Sequence, residues 1–229
     1  IKGVEISESF DTPVVIRTTM RTSHSKSVVT FGADPASFGD VGPFTRNMQK
    51  YNCMCLWSKQ RHPVLEQRLV DLAQFTETFP WNRIEWGDRH IGIIAGGVVY
   101  EYARQVFPAA SFLKLGMTYP LPKSMIREFA AGVDKVIVIE ELDPFLEEQI
   151  RALGIDATGK EIFPPCDELL PQTIQSLAEK HHLLPARTKA APFQSSLSDP
   201  PGRSPVLCAG CPHRSTFFLL NKMKLPVAG

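Results

Sequence analysis

The feature that most constrains the fold is one pattern that occurs three times between residues 89 and 154. Each time, a strand-like apolar run leads through a short turn into a helical period: RHIGIIAGG into VVYEYARQVF, SFLKLGMTYP into LPKSMIREFAAGV, and DKVIVIEEL into PFLEEQIRALG. This alternation is typical of βαβ units around a mostly parallel sheet. We therefore predict an α/β fold in three layers, a mostly parallel sheet between helices, with extended flanking arms.

The turns that follow the predicted strands are expected to share one edge of the sheet. AGG, TYPLP and EELDP should lie at the carboxyl edge, where open α/β folds usually bind ligands. Gly92, Gly96 and Gly97 lack the spacing of a dinucleotide fingerprint, and no lysine follows them as a P-loop requires. We do not predict nucleotide binding at this turn.

The acidic turn at residues 140–144 allows two interpretations. Paired carboxylates at the end of a buried strand could perform acid–base chemistry. Alternatively the turn caps a helix, since Asp143 precedes Pro144, and Glu147 and Glu148 suit the first helical turn electrostatically. We favour the cap, and we interpret His90 as a strand-edge histidine.

The flanking segments differ in composition and in hydrophobic pattern. TPVVIRTTM, residues 12–20, predicts a short strand, and VVTF, residues 28–31, a second β-branched run. Residues 32–49 are rich in Gly, Pro and Asp and predict a loop. HPVLEQRLVDLAQFTETF, residues 62–79, predicts an amphipathic helix that packs on the following domain. After Leu184 a segment rich in Pro and Ser predicts a linker.

Composition excludes several classes of protein. Among 229 residues, 25 Lys and Arg balance 24 Asp and Glu, so the net charge of +1 indicates neither nucleic acid nor an acidic membrane as partner. No apolar run approaches the roughly 20 residues of a membrane span, and the opening residues lack a signal-peptide pattern. We expect a cytoplasmic location.

Five cysteines are spaced as a close pair, Cys53 and Cys55, a lone Cys166, and the pair Cys208 and Cys211. This spacing is no disulfide framework and fits a reducing compartment. We interpret Cys166 as a packed or partly exposed thiol.

The stretch PVLCAGCPHRSTFFLLNKM, residues 205–223, carries the strongest chemical signal. Two thiolates at Cys-x-x-Cys spacing before a helix can bind one metal or two corners of an iron–sulfur cluster. Ser215 is a candidate helix cap, and only His213 is near enough in sequence to add a zinc ligand. Taken alone, the motif is half a site, and two inert thiols remain an alternative.

The series RTTMRTSHS, IGIIAGGVVYEY, KLGMTYPLP, VIVIEELDPFLEEQI and PVLCAGCPHR resembles the alpha subunits of the indolepyruvate ferredoxin oxidoreductase family. These are thiamine-diphosphate-dependent 2-oxoacid:ferredoxin oxidoreductases. The resemblance covers nearly the whole chain and is weakest at residues 32–86 and 189–202.

The resemblance implies an internal fragment of a larger modular subunit. Residues 1–30 would be the end of a pyrimidine-binding domain and residues 31–86 a loop and helix linker. Residues 87–185 would resemble the carboxy-terminal domain of transketolase. After a linker at residues 186–203, residues 204–229 would begin a domain that binds the pyrophosphate of thiamine diphosphate.

The resemblance also implies site residues and cofactors. Cys208 and Cys211 match two of the four ligands of a 4Fe-4S cluster, and His213 and Arg214 match motif positions near thiamine diphosphate. The Gly-Asp-Gly motif that holds Mg²⁺ in thiamine enzymes does not occur in this sequence. No glutamate that could activate the cofactor is identified, since residues 5 and 8 are expected on a helix surface.

For the intact subunit, the implied reaction is the oxidative decarboxylation of an aryl pyruvate with coenzyme A, with electrons passing to ferredoxin. The implied partners are a beta subunit and ferredoxin, and this chain alone is expected to be inactive. A competing class is a non-catalytic interaction module, such as one that forms a homodimer, since VVIRTTM and FFLLNKM are apolar without an evident partner. A third class is a thiol-redox or zinc protein that uses Cys208 and Cys211.

Overall fold

The computed structural model describes residues 2–28, 30, 45–186, 211 and 213–226. The chain divides into two compact units, residues 1–187 and residues 188–229, and each is described by itself. Within the described residues, no helix combines the length and the apolar character needed to cross a membrane. The elements are α1 (Lys2–Phe10), α2 (Met20–His24), α3 (Met48–Tyr51), α4 (Cys55–Glu77), β1 (Arg83–Glu85), β2 (Asp88–Gly96), α5 (Gly97–Val106), β3 (Ala110–Leu115), α6 (Lys123–Ala131), β4 (Val136–Ile139), α7 (Phe145–Arg151), β5 (Ala157–Thr158), α8 (Pro171–Lys180) and α9 (His213–Lys222).

Five strands form one sheet in the order β1-β3-β2-β4-β5. Strand β2 pairs in parallel with β3 and with β4, and β4 pairs in parallel with β5. The edge strand β1 runs antiparallel to β3. The three predicted strand–helix units are confirmed as β2–α5, β3–α6 and β4–α7.

Both faces of the sheet are covered by helices. Alternate side chains of β4 go to opposite clusters: Ile137 and Ile139 pack with α5 and α8, whereas Val136 and Val138 pack with α6 and α7. All four β4 residues are buried, which explains why VIVI reads as a continuous apolar run. The three-layer, mostly parallel α/β fold is confirmed.

Three elements of the domain were not predicted. The sheet begins at β1, ahead of residue 87, and ends at the two-residue β5. Helix α8 follows, with Pro171 in its first turn and with Ile174 and Ala178 fully buried against the α5 face. The spacing of Ile174, Leu177 and Ala178 is a helical signal that was available in the sequence.

The strand predicted at residues 12–20 is wrong. Residues 13–19 form no regular element, and α2 begins at Met20, where the Thr19 side chain accepts a hydrogen bond from the Thr22 amide. Val15 is 90% exposed, and among the described residues no strand pairs with this β-branched run. The second run, residues 28–31, lies partly outside the described residues, as do most residues of the predicted 32–49 loop.

Helix α4 confirms a helix at the predicted residues, but it begins earlier, contains Pro63 and is not amphipathic over its full length. Among the described residues, its apolar side chains pack at the carboxyl end, where Leu72 joins Ile6 of α1 and Phe79 in a small cluster that Met117 of the following domain flanks. Val64 and Leu65 are 45% and 46% exposed, so the expected packing of the whole stripe is wrong.

In the second unit, α9 begins at His213, which places Ser215 inside the helix and makes its predicted capping role wrong. Phe218 and Leu219 on this helix are 59% and 57% exposed. The predicted linker at residues 186–203 lies outside the described residues except for Ala186.

Candidate functional site

The three predicted turns do meet at the carboxyl edge of the sheet. Parallel register pairs Gly96 of β2 with Leu115 of β3, and Ala95 of β2 with Ile139 of β4, so the three strands end side by side. The chain segments that leave this edge are the start of α5, the loop before α6 and the acidic turn before α7. This edge is the first candidate site.

The start of α5 is built from two glycines. Gly97 has a φ of +59°, a conformation that favours glycine. A Cβ atom on Gly96 would lie 2.8 Å from the carbonyl oxygen of Leu115, so a larger residue would push β2 from β3. The N-cap residue is Gly96, which has no side chain to cap the helix, so the first-turn amide groups of α5 have no acceptor from that position.

The loop after β3 is held by side chains from the segment before β1. Asn82 is buried, and its Oδ1 accepts hydrogen bonds from the amides of Gly116 and Met117, both at 2.9 Å. Its Nδ2 donates to the Thr76 carbonyl at 3.0 Å. The loop then contains a cis peptide bond between Tyr119 and Pro120. Asn82 thus fixes the position at which this loop leaves the sheet.

The acidic turn after β4 is a helix cap, but a different residue provides it. Glu140, not Asp143, accepts hydrogen bonds from the amides of Leu146 and Glu147, at 2.8 and 2.9 Å. The predicted capping role of Asp143 is therefore wrong. Burial raises the pKa of Glu140, and the two amide hydrogen bonds oppose that rise. Because both carboxylate oxygens hold backbone amides, the geometry favours capping over acid–base chemistry.

Glu147 is more than an acidic residue that suits the first turn of α7. It is 2% exposed and binds the segment between β5 and α8. Its carboxylate accepts hydrogen bonds from the amides of Gly159 at 3.0 Å and Lys160 at 2.7 Å, and pairs with Arg151 at 2.8 Å. The Lys160 ammonium donates to the Glu140 carbonyl. Burial lowers the pKa of Lys160, and the nearby carboxylates, Glu140 first, oppose this.

The second candidate site is the cysteine segment, of which the structure describes part. Cys208 lies outside the described residues. Cys211 is half-buried, and its Sγ lies 3.4 Å from Nδ1 of His213 at the start of α9. Arg214 is exposed in the same helix, and its amide donates to the Cys211 carbonyl at 3.2 Å. The structure therefore brings Cys211 and His213 together and places Arg214 beside them.

The remaining predicted residues lie apart from both sites. Cys53, Cys55 and Cys166 are free and exposed. Glu5 and Glu8 are exposed on α1, as predicted. Among the described residues, no group of three or more His, Cys, Asp or Glu side chains is arranged to hold a metal ion.

His90 lies in β2, near its amino end, far along the strand from the carboxyl edge. Its Nδ1 lies 2.8 Å from Oδ2 of Asp134, and its side chain is 82% exposed. The hydrogen bond to Asp134, with the charges of Asp88 and Asp134, raises the pKa of His90 above its usual 6.5. This contact agrees with the interpretation of His90 as a strand-edge residue.

We expect Asp134→Asn to lower the pKa of His90, as measured by NMR titration of its ring protons. Because the folded-state pKa is raised, the pair stabilises the protein fully below about pH 6.5. That contribution is lost as pH rises through the folded-state pKa. Glu128→Gln, an exposed change on α6, should leave the titration unchanged, and an unaltered His90 pKa in Asp134→Asn would contradict the assignment.

Comparison with known families gives a match for the region that contains most of this edge. Residues 103–184 match the model of the indolepyruvate oxidoreductase domain. This stretch resembles an indolepyruvate oxidoreductase domain. The resemblance to the indolepyruvate ferredoxin oxidoreductase family that the sequence motifs indicated is thereby confirmed.

The similarity extends beyond that domain. The chain is 30% identical over 98% of its length to indolepyruvate oxidoreductase subunit IorA of Pyrococcus horikoshii. It is 28% identical over 96% of its length to the IorA subunit of Archaeoglobus fulgidus, and 28% identical over 95% to that of Methanothermobacter thermautotrophicus. The chain spans only 38% of the first relative's length and 37% of each of the other two.

One solved structure with a similar chain is a 2-oxoglutarate:ferredoxin oxidoreductase from Magnetococcus marinus with 2-oxoglutarate, coenzyme A and succinyl-CoA bound. The sequence identity is 20% and the TM-score 0.43, over 56% of this chain and 24% of that chain.

Proposed function

We propose that the chain is a segment of the subunit of a 2-oxoacid:ferredoxin oxidoreductase that oxidatively decarboxylates an aryl pyruvate such as indolepyruvate with coenzyme A. The observation that carries this proposal is the similarity to IorA subunits over 98% of the chain. In the intact enzyme the partners are a beta subunit and ferredoxin, in the cytoplasm. The segment alone is inactive in this proposal.

The intact subunit in this proposal uses thiamine diphosphate, Mg²⁺ and a 4Fe-4S cluster. Cys211 fits one cluster ligand, because its half-buried Sγ lies just before α9 and beside the His213 ring. Cys208 would be the second ligand, and the others would come from elsewhere in the subunit. When bound, thiamine diphosphate supplies the nucleophile for decarboxylation, and the cluster carries single electrons.

This chain's own residues would hold and orient those groups. The His213 ring, 3.4 Å from the Cys211 sulfur, would orient that sulfur, as residues around metal ligands commonly do. Arg214 would place a positive charge near the diphosphate. The α/β domain would pack between catalytic domains, with its carboxyl edge facing substrate, coenzyme A or the beta subunit.

The proposal is tested by assaying indolepyruvate-dependent reduction of ferredoxin with coenzyme A. We expect activity from the complete subunit together with its beta subunit and none from residues 1–229 alone. Phenylpyruvate and 2-oxoglutarate serve as competing substrates that define the preferred 2-oxoacid. A complete enzyme that reduces ferredoxin with none of these 2-oxoacids would contradict the proposal.

A second candidate function is a non-catalytic interaction module, which the exposed apolar residues favour. Val15, Ile16 and Phe218 are 90%, 74% and 59% exposed, and such surfaces commonly mark interfaces. Sedimentation of the chain as a stable dimer would support this function. Stoichiometric zinc binding that either Cys208→Ser or Cys211→Ser abolishes would instead support a zinc or thiol-redox protein.

A further inference from the structure

The motif RTTMRTSHS contains two arginines whose partners lie far along the chain. Arg21 makes a bidentate ion pair with Glu168, with Nε 2.9 Å from Oε2 and 3.0 Å from Oε1, and with Nη2 2.5 Å from Oε2. Arg17 contacts Glu141, with Nη2 3.5 Å from Oε2. We call residues 13–25, which contain both arginines, the strap.

The two acidic partners of the strap lie at two different places on the α/β domain. Glu141 follows the carboxyl end of β4 by two residues, and Glu168 lies three residues before α8. The neighbouring Leu169 is buried in the cluster that packs α5 and α8 on the sheet. The strap therefore reaches from the carboxyl end of β4 to the start of α8.

The strap is also fixed at its amino end. Asp11, just before it, binds Lys50 at 2.6 Å, Arg68 at 2.9 Å and Arg61 at 3.7 Å, and all three are on α3 or α4. The amide of Thr12 donates to the Ser7 carbonyl at 3.2 Å, and the Ser7 hydroxyl donates to the Thr12 carbonyl at 2.7 Å. These contacts direct the chain from α1 into the strap.

Apolar packing does not explain the position of the strap. Val15 and Ile16 are 90% and 74% exposed, and Met20 is 77% exposed. Within the strap, local hydrogen bonds shape α2, such as Ser25 Oγ to the Thr22 carbonyl at 2.7 Å. Among the described residues, the ion pairs that join the strap to the α/β domain are the two arginine–glutamate pairs.

We propose that Arg17 and Arg21 are positioning residues that latch the strap beside the carboxyl end of β4. The latch fixes where the amino-terminal segment meets the α/β domain. This inference is independent of the proposed oxidoreductase function, because it concerns contacts within residues 1–187 alone.

The test is hydrogen–deuterium exchange of peptides covering the strap in the 229-residue chain. Exposed ion pairs contribute little each, so we expect Arg21→Glu to speed exchange about two- to five-fold, and Arg17→Glu with Arg21→Glu to speed it further. The charge swap Arg21→Glu with Glu168→Arg should restore most protection. Arg21→Lys, which keeps the charge without the bidentate geometry, should be intermediate.

The matched control is Arg127→Glu, an exposed change on α6 for which the described residues provide no ion-pair partner. It should leave exchange in the strap unchanged. Added salt should speed exchange in the wild-type strap and have little effect in the double variant, because salt screens exposed pairs. If the double variant also loses protection in β2–β4, its fold is disturbed, and the exchange measurement is made on Arg21→Gln instead.

Unchanged strap exchange in the double variant, or in Arg21→Gln where that replaces it, would overturn the proposal. A charge-swap variant that exchanges as fast as Arg21→Glu alone would overturn the specific pairing with Glu168.

Discussion

Glu147→Gln is expected to lower the free energy of unfolding by about 2 to 4 kcal/mol, because a buried charged acceptor is lost. The Glu147 carboxylate is 3% exposed and pairs with Arg151 while accepting the amides of Gly159 and Lys160. A glutamine has one side-chain oxygen, so it can accept hydrogen bonds on one side only. Its NH₂ group would face a donor on the other side. The segment after β5 would lose its attachment to α7.

Urea unfolding followed by circular dichroism measures this effect. Glu148→Gln removes the same charge from an exposed neighbour in the same helix, and surface changes of this kind usually cost less than about 0.5 kcal/mol. If both variants unfold at the same urea concentration, Glu147 does not hold the β5–α8 segment.

Asn82→Ala is expected to lower the free energy of unfolding by about 1 to 3 kcal/mol, since truncation leaves the amides of Gly116 and Met117 without their buried acceptor. It also removes the hydrogen bond to the Thr76 carbonyl. The local consequence should be faster hydrogen exchange at residues 116–119, where the chain leaves β3 for the candidate site. Exchange in β4, on the other side of β2, should change less.

The control for Asn82 is Asn221→Ala, the same change at an exposed position in α9. It should leave the unfolding midpoint of residues 1–187 unchanged. Protection at residues 116–119 that survives in Asn82→Ala would show that the loop is held by other contacts.

The central fold could be predicted because its signals are local. Buried parallel strands such as VIVI are apolar on both faces, and the helices between them keep a 3.6-residue period, so three strand–helix units and their common carboxyl edge follow from the sequence. The two-residue β5 and the three-residue β1 are too short to carry a pattern of their own. They form strands because β4 and β3 offer open edges.

The contacts that decide the candidate site could not be predicted, because they join distant residues. Arg17 and Glu141 are 124 positions apart, and Asn82 contacts amides 34 and 35 positions away. Glu140 caps α7 from the end of a strand, six positions before the first amide it accepts, whereas the usual cap signal concerns the residue next to the helix. The strand prediction for TPVVIRTTM is wrong for a related reason. Its β-branched residues favour extended backbone, but a strand also needs a neighbour.

In the proposed function, Cys208 and Cys211 supply part of a cluster site that other parts of a longer subunit complete. The measurement that tests it most directly is the iron and sulfide content, with the visible absorption, after anaerobic reconstitution. It is made on residues 1–229 and on the complete subunit, each as wild type, Cys208→Ser and Cys211→Ser, with the exposed Cys166→Ser as control.

We predict no stable stoichiometric cluster in residues 1–229. In the complete subunit, we predict the loss of one 4Fe-4S cluster in each of the Cys208→Ser and Cys211→Ser variants, and no loss in Cys166→Ser. A stable cluster in residues 1–229 that either serine variant abolishes would contradict the half-site account. Full iron content in the complete subunit carrying Cys208→Ser or Cys211→Ser would contradict the assignment of these cysteines as ligands.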